Sequence, residues 1–347
     1  MVNNGKILLG KYLIKREFPV NYIPGELDFC SGEFSYEPYD VDFIKLNFCI
    51  VTYEGVIYRN FFQILNSSLV GPKLRGQYTI LRLINEIRKL KRIKLNEKIN
   101  YLVAFDAWSG NHYHWTTEVL TRLFLLKNEL HNFTLILPNN NYIKTTGKAL
   151  LDLLGLSPAD IIYIKPDELI YSSKIYTINH VALTGFINDK ILAEMQKTIA
   201  SKIDRNKSSR TKKIYVTRQY ANYRKVLNEP EVVSLLLSRG YENISFEGLS
   251  LAEQINICSN ADIMVSMHGA GLTNMIFMNQ GSKILEFRRN RIYHNQCYWH
   301  LAGSLKHKYY YLFGEPDSDL QLEGNGCNLF IPIPKLEQTL EKIESSN

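Results

Sequence analysis

The residues with chemical potential fall into two groups far apart in the chain. In VSMHGAGLTNMIFMNQ, residues 265–280, an apolar run leads to His268, then to Gly269, Ala270 and Gly271, then to a helix-like run from Leu272. A strand ending in a glycine-rich turn that opens a helix aims free backbone N–H groups at one point, a ready place for an anion. Gly269 and Gly271 are read as permitting close approach and positive φ, and His268 as donating to a phosphate oxygen. A bare strand–helix turn is the plainer reading. Upstream, IYVTR places Arg218 just past another strand end, with Arg224 six residues on and Asn228–Glu229 following. A departing diphosphate needs positive charge and fixed donors, and arginine supplies a fork that lysine lacks. Two arginines and a helix N-terminus would suffice without a metal; surface salt bridges are the plainer reading. Glu286, ending KILEF, is read either as a ribose ligand or as a partner of Arg288 or Arg289.

The second group is AFDAWSGNHYHWTTEVLTRL, residues 104–123. Asp106 ends a strand, Gly110–Asn111 turn the chain, and His112, His114 and Trp115 open a helix. Glu118 lies four residues after His114, on the same helical face. A carboxylate on one ring nitrogen orients an imidazole and raises its basicity, which suits a general base for a sugar hydroxyl. His112 and His114 also read as metal ligands, although no third Cys or His is near in sequence. A core histidine paired for stability is the structural alternative.

The elements that must position these groups alternate along the chain. Residues 1–60 read as short strands broken by turns at Pro24–Gly25, Ser31–Gly32 and Pro38. The run 78–95 reads as a helix with Ile80, Leu83, Ile84, Ile87 and Leu90 on one stripe and Arg82, Arg88, Lys89, Lys91, Arg92 and Lys94 largely off it. Its basic face has three readings: a solvated face, a dock for anionic lipid, or a nucleic-acid contact without an accompanying signature. YLVAFD, FTLILP, IIYI and KIYTI read as strands, with WTTEVLTRLFLLKNEL helical among them. The polar stretch 201–213 reads as a linker. Beyond it, strands at 214–218, 243–246, 262–269 and 283–287 alternate with helices, one opened by a capping box at Ser250 and Glu253. Two such halves predict an α/β chain with two Rossmann-like domains facing across a cleft, with ligands outside the carboxyl ends of the strands.

Composition bounds the rest. A chain of 347 residues suggests two domains of roughly 150 residues each. Its net charge of +7 favours anionic partners without choosing among them. Cys30, Cys49, Cys258, Cys297 and Cys327 are scattered, which argues for a reducing compartment. The N-terminus lacks a signal-peptide core, and no segment approaches the roughly 18 apolar residues of a membrane span. The expectation is a cytoplasmic protein, or one peripheral at the inner membrane.

Four motifs in order, NHYHWxxExLxRL, IYVTRQYANYRKVLNE, LSLAEQI and ADIMVSMHGAGLTNMIFMxxGSKILEF, resemble glycosyltransferase family 61. Bacterial members of that family are often labelled capsular polysaccharide biosynthesis proteins. The resemblance implies a GT-B fold, an inverting transfer from a nucleotide sugar, UDP-linked, to a glycan or lipid-linked acceptor in capsular polysaccharide or lipopolysaccharide synthesis. The nucleotide sugar is a co-substrate, and no cofactor, metal or nucleic acid is implied. Residues 1–205 would form the acceptor-side domain, with 1–75 an added strand-rich segment. Residues 206–347 would bind the donor, the last helix packing back on the first domain. Carried onto this chain, His114, Glu118 and Asp106 face the acceptor as candidate bases. Arg218, Arg224, His268, Gly269, Ala270, Gly271, Asn274 and Glu286 hold the donor, with Phe246, Glu247, Leu249 and Glu253 near the base. Thr121 departs from the proline common in bacterial relatives. A nucleotide-sugar 2-epimerase-like enzyme and a non-catalytic glycan-binding protein are the alternatives.

Overall fold

The computed structural model describes residues 6–60, 62–69, 76–203, 212–290, 295–318 and 326–346. The chain separates into two compact units, Met1–Tyr12 with Glu37–Thr184, and Leu13–Tyr36 with Gly185–Asn347. Residues 204–211 of the expected linker lie outside the described residues.

In the first unit the parallel strands Tyr101–Val103, Thr134–Pro138, Asp160–Ile164 and Glu168–Ile178 are ordered so that the first lies between the second and the fourth. The strand order therefore reverses between Tyr101–Val103 and Glu168–Ile178. The long strand Val41–Val51 then pairs antiparallel with Glu168–Ile178, and Ile57–Arg59 and Gln63–Ile64 continue the sheet. The strand-rich N-terminal segment thus extends a parallel sheet with an antiparallel half.

The run 78–95 is not one helix. Thr79 caps a helix over Ile80–Lys89, and Lys91–Lys94 is a strand parallel to Glu168–Tyr171. Its lysines and arginines favour helix, but the sheet edge takes their backbone groups, beginning with Lys91 N to Asp167 O at 2.8 Å. Leu83 is buried on Ile50, Tyr58 and Leu169, with Ile87 and Leu90 beside it, while Ile80 is exposed. Arg82 is held by Glu54 and Glu86. The single basic helical face of the sequence reading is therefore divided between a helix and a strand.

In the second unit five parallel strands run in the order Tyr241–Ile244, Lys213–Val216, Ile263–Met267, Lys283–Arg289, Lys308–Pro316, with Leu329–Phe330 antiparallel at the edge. This is a doubly wound order, reversing between Lys213–Val216 and Ile263–Met267. Val265, Leu285, Phe287 and Tyr310 form its core with Leu336, Leu340 and Ile343 of the last helix, Ile333–Ser345. The segment Leu13–Tyr36 is tied into this unit through buried Arg16. The Arg16 guanidinium grips Asp189 at 2.9 and 2.6 Å and donates from Nε to His300 Nδ1 at 3.3 Å. His300 Nε2 in turn donates to Glu33 at 2.9 Å. All five cysteines are buried free thiols, and among the described residues no helix is long and apolar enough to cross a membrane.

Candidate active site

Each unit carries its chemistry where its strand order reverses, the place where open α/β sheets leave a crevice beyond their strand ends. In the second unit Arg218 follows Lys213–Val216 and His268 follows Ile263–Met267, the two neighbours of the reversal. Arg224, in the left-handed region at φ 60°, turns the chain so that its carbonyl accepts Arg218 Nε at 2.9 Å. Tyr223 O accepts Arg218 Nη2 at 3.3 Å. Thus fixed, the guanidinium lies against Gly269, where an added Cβ would stand 2.0 Å from Nη1. Close approach is therefore the reason for Gly269. Its φ of 174° is ordinary extended backbone, and Gly271 also lacks positive φ, so that part of the sequence reading is corrected. Gly271 is tight against Val216 and Phe246.

Burial first, and then the Arg224 charge, pull Arg218 below the usual arginine value. Among the described residues neither Arg218 nor Arg224 pairs with a carboxylate. Gly269 directly precedes the 3-10 helix Ala270–Phe277. Two guanidinium groups without a carboxylate partner among the described residues bring positive charge to this strand-order reversal, which suits an anion.

His268 and Glu286 are both buried, and Nδ1 donates to Oε1 at 2.5 Å. Tyr309 OH donates to the other carboxylate oxygen at 2.5 Å, and Arg288 Nη1 reaches Tyr309 OH at 3.4 Å. Glu286 thus orients His268 and meets Arg288 through Tyr309, rather than standing open to a ribose. Burial outweighs Glu286 and holds the His268 pKa below the ordinary imidazole value. A neutral ring with its proton on Nδ1 presents Nε2 as an acceptor. His268 becomes a phosphate donor only when an anion draws a second proton onto it.

The remaining donor-side candidates serve a neighbouring loop. Asn274 Nδ2 donates to Gln254 Oε1 at 2.8 Å, and Gln254 Nε2 donates to Leu249 O at 3.0 Å and Phe246 O at 3.4 Å. Asn274 therefore acts through Gln254, which the sequence reading passed over. Glu253 closes the capping box on Ser250, as the spacing predicts, and Glu247 accepts from Ser245 Oγ at 2.7 Å.

In the first unit Asn111 caps a helical run, His112–His114, that passes through a π-turn at Trp115–Val119 into Leu120–Phe124. Local π-turns are common at functional sites. His114 Nδ1 lies 3.1 Å from Glu118 Oε1, which also accepts from Thr184 Oγ1 at 2.9 Å. Burial opposes a charge on His114, but Glu118 prevails and its pKa is raised. His112 faces Tyr142 at 2.7 Å instead of joining His114. Thr121 Oγ1 donates to the carbonyls of Thr117 and Glu118.

Asp106 is fully engaged. Oδ1 accepts from Trp108 N at 2.9 Å and Ser109 Oγ at 3.2 Å, and Oδ2 accepts from Arg122 Nη2 at 2.9 Å. Burial would raise its pKa, but Arg122 overcomes this and lowers it, which makes Asp106 a poor proton acceptor. The N-terminal segment helps fix this turn, for a Cβ on Gly55 would stand 2.4 Å from Phe105 O.

Sequence reasoning missed His180, whose Nε2 is 3.5 Å from Asp106 Oδ2. It follows KIYTI by two residues, beyond the strand end beside Tyr101–Val103, and that placement was the available signal. One atom from each of Asp106, Glu118 and His180 lies within 4.8 Å of the others, a spacing compatible with a metal. Arg122 already supplies a positive charge there. Trp108 was also missed: 37% exposed, its ring lies 4.9 Å from that of His114.

The profile of the family described as Glycosyltransferase 61 matches residues 112–285, which contain His114, Glu118, Arg218 and His268. The EGF domain-specific O-linked N-acetylglucosamine transferase of Drosophila melanogaster is 37% identical over 75 residues, 21% of this chain and 14% of that protein. Its counterpart in Gallus gallus is 30% identical over 95 residues, 26% of this chain and 17% of that protein. Alpha-1,3-arabinosyltransferase XAT2 of Oryza sativa subsp. japonica is 23% identical over 203 residues, 53% of this chain and 34% of that protein. The chain thus spans about a third or less of the length of these curated relatives.

Proposed function

The chain belongs to glycosyltransferase family 61, and from that premise we propose that it moves a hexose or pentose from a UDP-sugar to a hydroxyl of a glycan acceptor, with inversion and without a metal. In this reading the two units are the domains of a GT-B enzyme, and the acceptor is a lipid-linked glycan of surface polysaccharide synthesis on the cytoplasmic side of the membrane. The second unit holds the donor. Arg218, Arg224 and the backbone N–H groups of 269–271 receive the diphosphate, and His268 accepts a proton as that charge arrives. The first unit serves the acceptor. His114, oriented by Glu118, takes the proton of the attacking hydroxyl, and Trp108 offers a ring face to the sugar.

The observation that carries this reading is the Arg218 guanidinium, without a carboxylate partner among the described residues and held by the backbone carbonyls of Arg224 and Tyr223 beside Gly269 at the strand-order reversal. A fixed charge of this kind stabilises a developing diphosphate, and one such donor is typically worth about 10²–10³-fold in rate. The test is calorimetry with UDP and other nucleotides, followed by donor turnover with and without glycans. UDP binding that is lost in Arg218→Ala supports the assignment. Unchanged binding in that variant rejects it, and donor turnover that needs no glycan points to an epimerase.

A further inference from the structure

The carboxylate of Glu118 and the imidazole of His180 converge at the strand-order reversal of the first unit. Both residues are buried, the Glu118 side chain keeping 7% of its surface exposed and the His180 side chain 11%. Among the described residues Glu118 Oε2 and His180 Nε2 each lack a hydrogen-bond partner, as does His114 Nδ1, which has only its 3.1 Å approach to Glu118 Oε1. Buried polar atoms are usually partnered, and two on neighbouring side chains can receive a group from outside.

Their chemistry selects the group. Asp106 Oδ2, 3.5 Å from His180 Nε2, favours the tautomer with the proton on Nε2. That nitrogen donates, and an ionised carboxylate only accepts. A hydroxyl meets both demands with one atom. A cation would need the ring's lone pair on Nε2 and would sit beside Arg122, 2.9 Å from Asp106. Burial, then Arg122, also keep His180 neutral, with its pKa near 4.

We propose that Glu118 and His180 form a subsite for a second hydroxyl of the acceptor, next to the one whose proton His114 takes, so that the acceptor is a vicinal diol of a sugar ring and not an isolated hydroxyl. This rests on the transferase reading and deepens it. Glu118 has two duties: Oε1 faces His114 and Thr184, and Oε2 accepts from the sugar. His180 is a binding residue that sequence spacing does not reveal.

The test compares the full-length wild type, His180→Leu and His180→Gln. Its probes are the methyl glycosides of glucose, galactose, mannose and xylose, with N-acetylserinamide as the isolated hydroxyl. In His180→Leu the KM for the best glycoside should rise about tenfold or more, the loss expected when a site built to bond a hydroxyl loses its partner. UDP affinity should not change. His180→Gln, which restores an N–H donor, should recover most of the loss. N-acetylserinamide should be the poorer acceptor. The melting temperature of His180→Leu should equal or exceed that of the wild type, because an unmet polar atom has been removed.

An unchanged KM, or a preference for N-acetylserinamide, overturns the subsite. So does turnover that EDTA abolishes and Mn²⁺ restores, with both responses lost in His180→Leu and Glu118→Gln, since that describes a cation site. A marked fall in the melting temperature of His180→Leu also overturns it, because the ring would then be a satisfied structural group. This last measurement needs no turnover, so a wild type inactive on every UDP-sugar sinks the transferase reading while the subsite is still judged on stability.

Discussion

His268 and Glu286 extend from neighbouring parallel strands and meet through Nδ1 and Oε1 at 2.5 Å, which fixes the ring with its first proton on the carboxylate side. An imidazole held in this way has a definite proton to gain when an anion binds. UDP binding should therefore take up protons from solution near neutral pH. Calorimetry in buffers of different ionisation enthalpy reads that uptake directly, and the affinity should strengthen as pH falls. A heat independent of the buffer would show that His268 stays neutral in the complex. Glu286→Ala, which leaves His268 and Tyr309 buried without their shared acceptor, should also cost about 1–3 kcal/mol of stability in urea denaturation.

Gly269→Ala should damage the donor site without damaging the fold. The new Cβ would stand 2.0 Å from the tip of Arg218, a side chain that can move aside. UDP affinity should fall roughly tenfold to a hundredfold, as for loss of a charge-assisted contact, while the melting temperature changes little. Gly281→Ala is the control. At φ 83°, with open space around it, it should lose about 1–2 kcal/mol of stability and bind UDP normally. Equal affinities in the two variants would separate Gly269 from nucleotide binding.

The pH–rate profile should show an acid limb set by His114. Burial lowers its pKa, but Glu118 more than compensates, so the folded value lies above the ordinary 6.5. A base must be neutral to act, and kcat/KM should therefore climb through a pKa above 6.5. The linked stability has the opposite sense. The His114–Glu118 pair adds stability below the unfolded pKa and loses it as pH rises through the folded one. Glu118→Gln should move the limb to lower pH, and an unmoved limb would show that another group is the base.

Acid should weaken the fold through other histidines. Burial brings His180 and His307 from 6.5 down to about 4, so between those values the unfolded chain binds protons that the folded chain does not. Stability is then present above the unfolded pKa and lost as pH falls, at about 1.4 kcal/mol per pH unit for each group. Urea midpoints at several pH values below neutral measure the slope, and His180→Leu should reduce it. Midpoints that do not vary over that range would contradict the assignment.

Periodicity and capping made much of the second unit legible, because its strands are short apolar runs separated by clear helix signals. The capping box at Ser250 and Glu253 appears as read. The first unit was harder, since its edge strand Lys91–Lys94 has a helix-forming composition and is fixed by Glu168–Tyr171, which lies far along the chain. The site divides in the same way. The His114–Glu118 contact follows from helical spacing. By contrast, the partners of Glu286, the Gln254 link to Asn274 and the place of His180 all depend on which strands become neighbours. Glycine in a motif announced a tight place, but only the packed Arg218 guanidinium explains why Gly269 is there.

The fastening of Leu13–Tyr36 into the second unit sets a timetable for synthesis. Arg16 emerges from the ribosome 173 residues before the Asp189 that grips it. At about 5–20 residues per second, that is a wait of roughly ten to thirty-five seconds. During it Phe18, Val20 and Ile23, which are exposed even in the finished fold, have no partner sheet to steady them. A nascent chain stalled before residue 189 should display this segment to proteases and chaperones. Neither unit can be recovered as one uninterrupted stretch of the gene, and a fragment starting at Gly185 would lack the Arg16 that pairs with its Asp189.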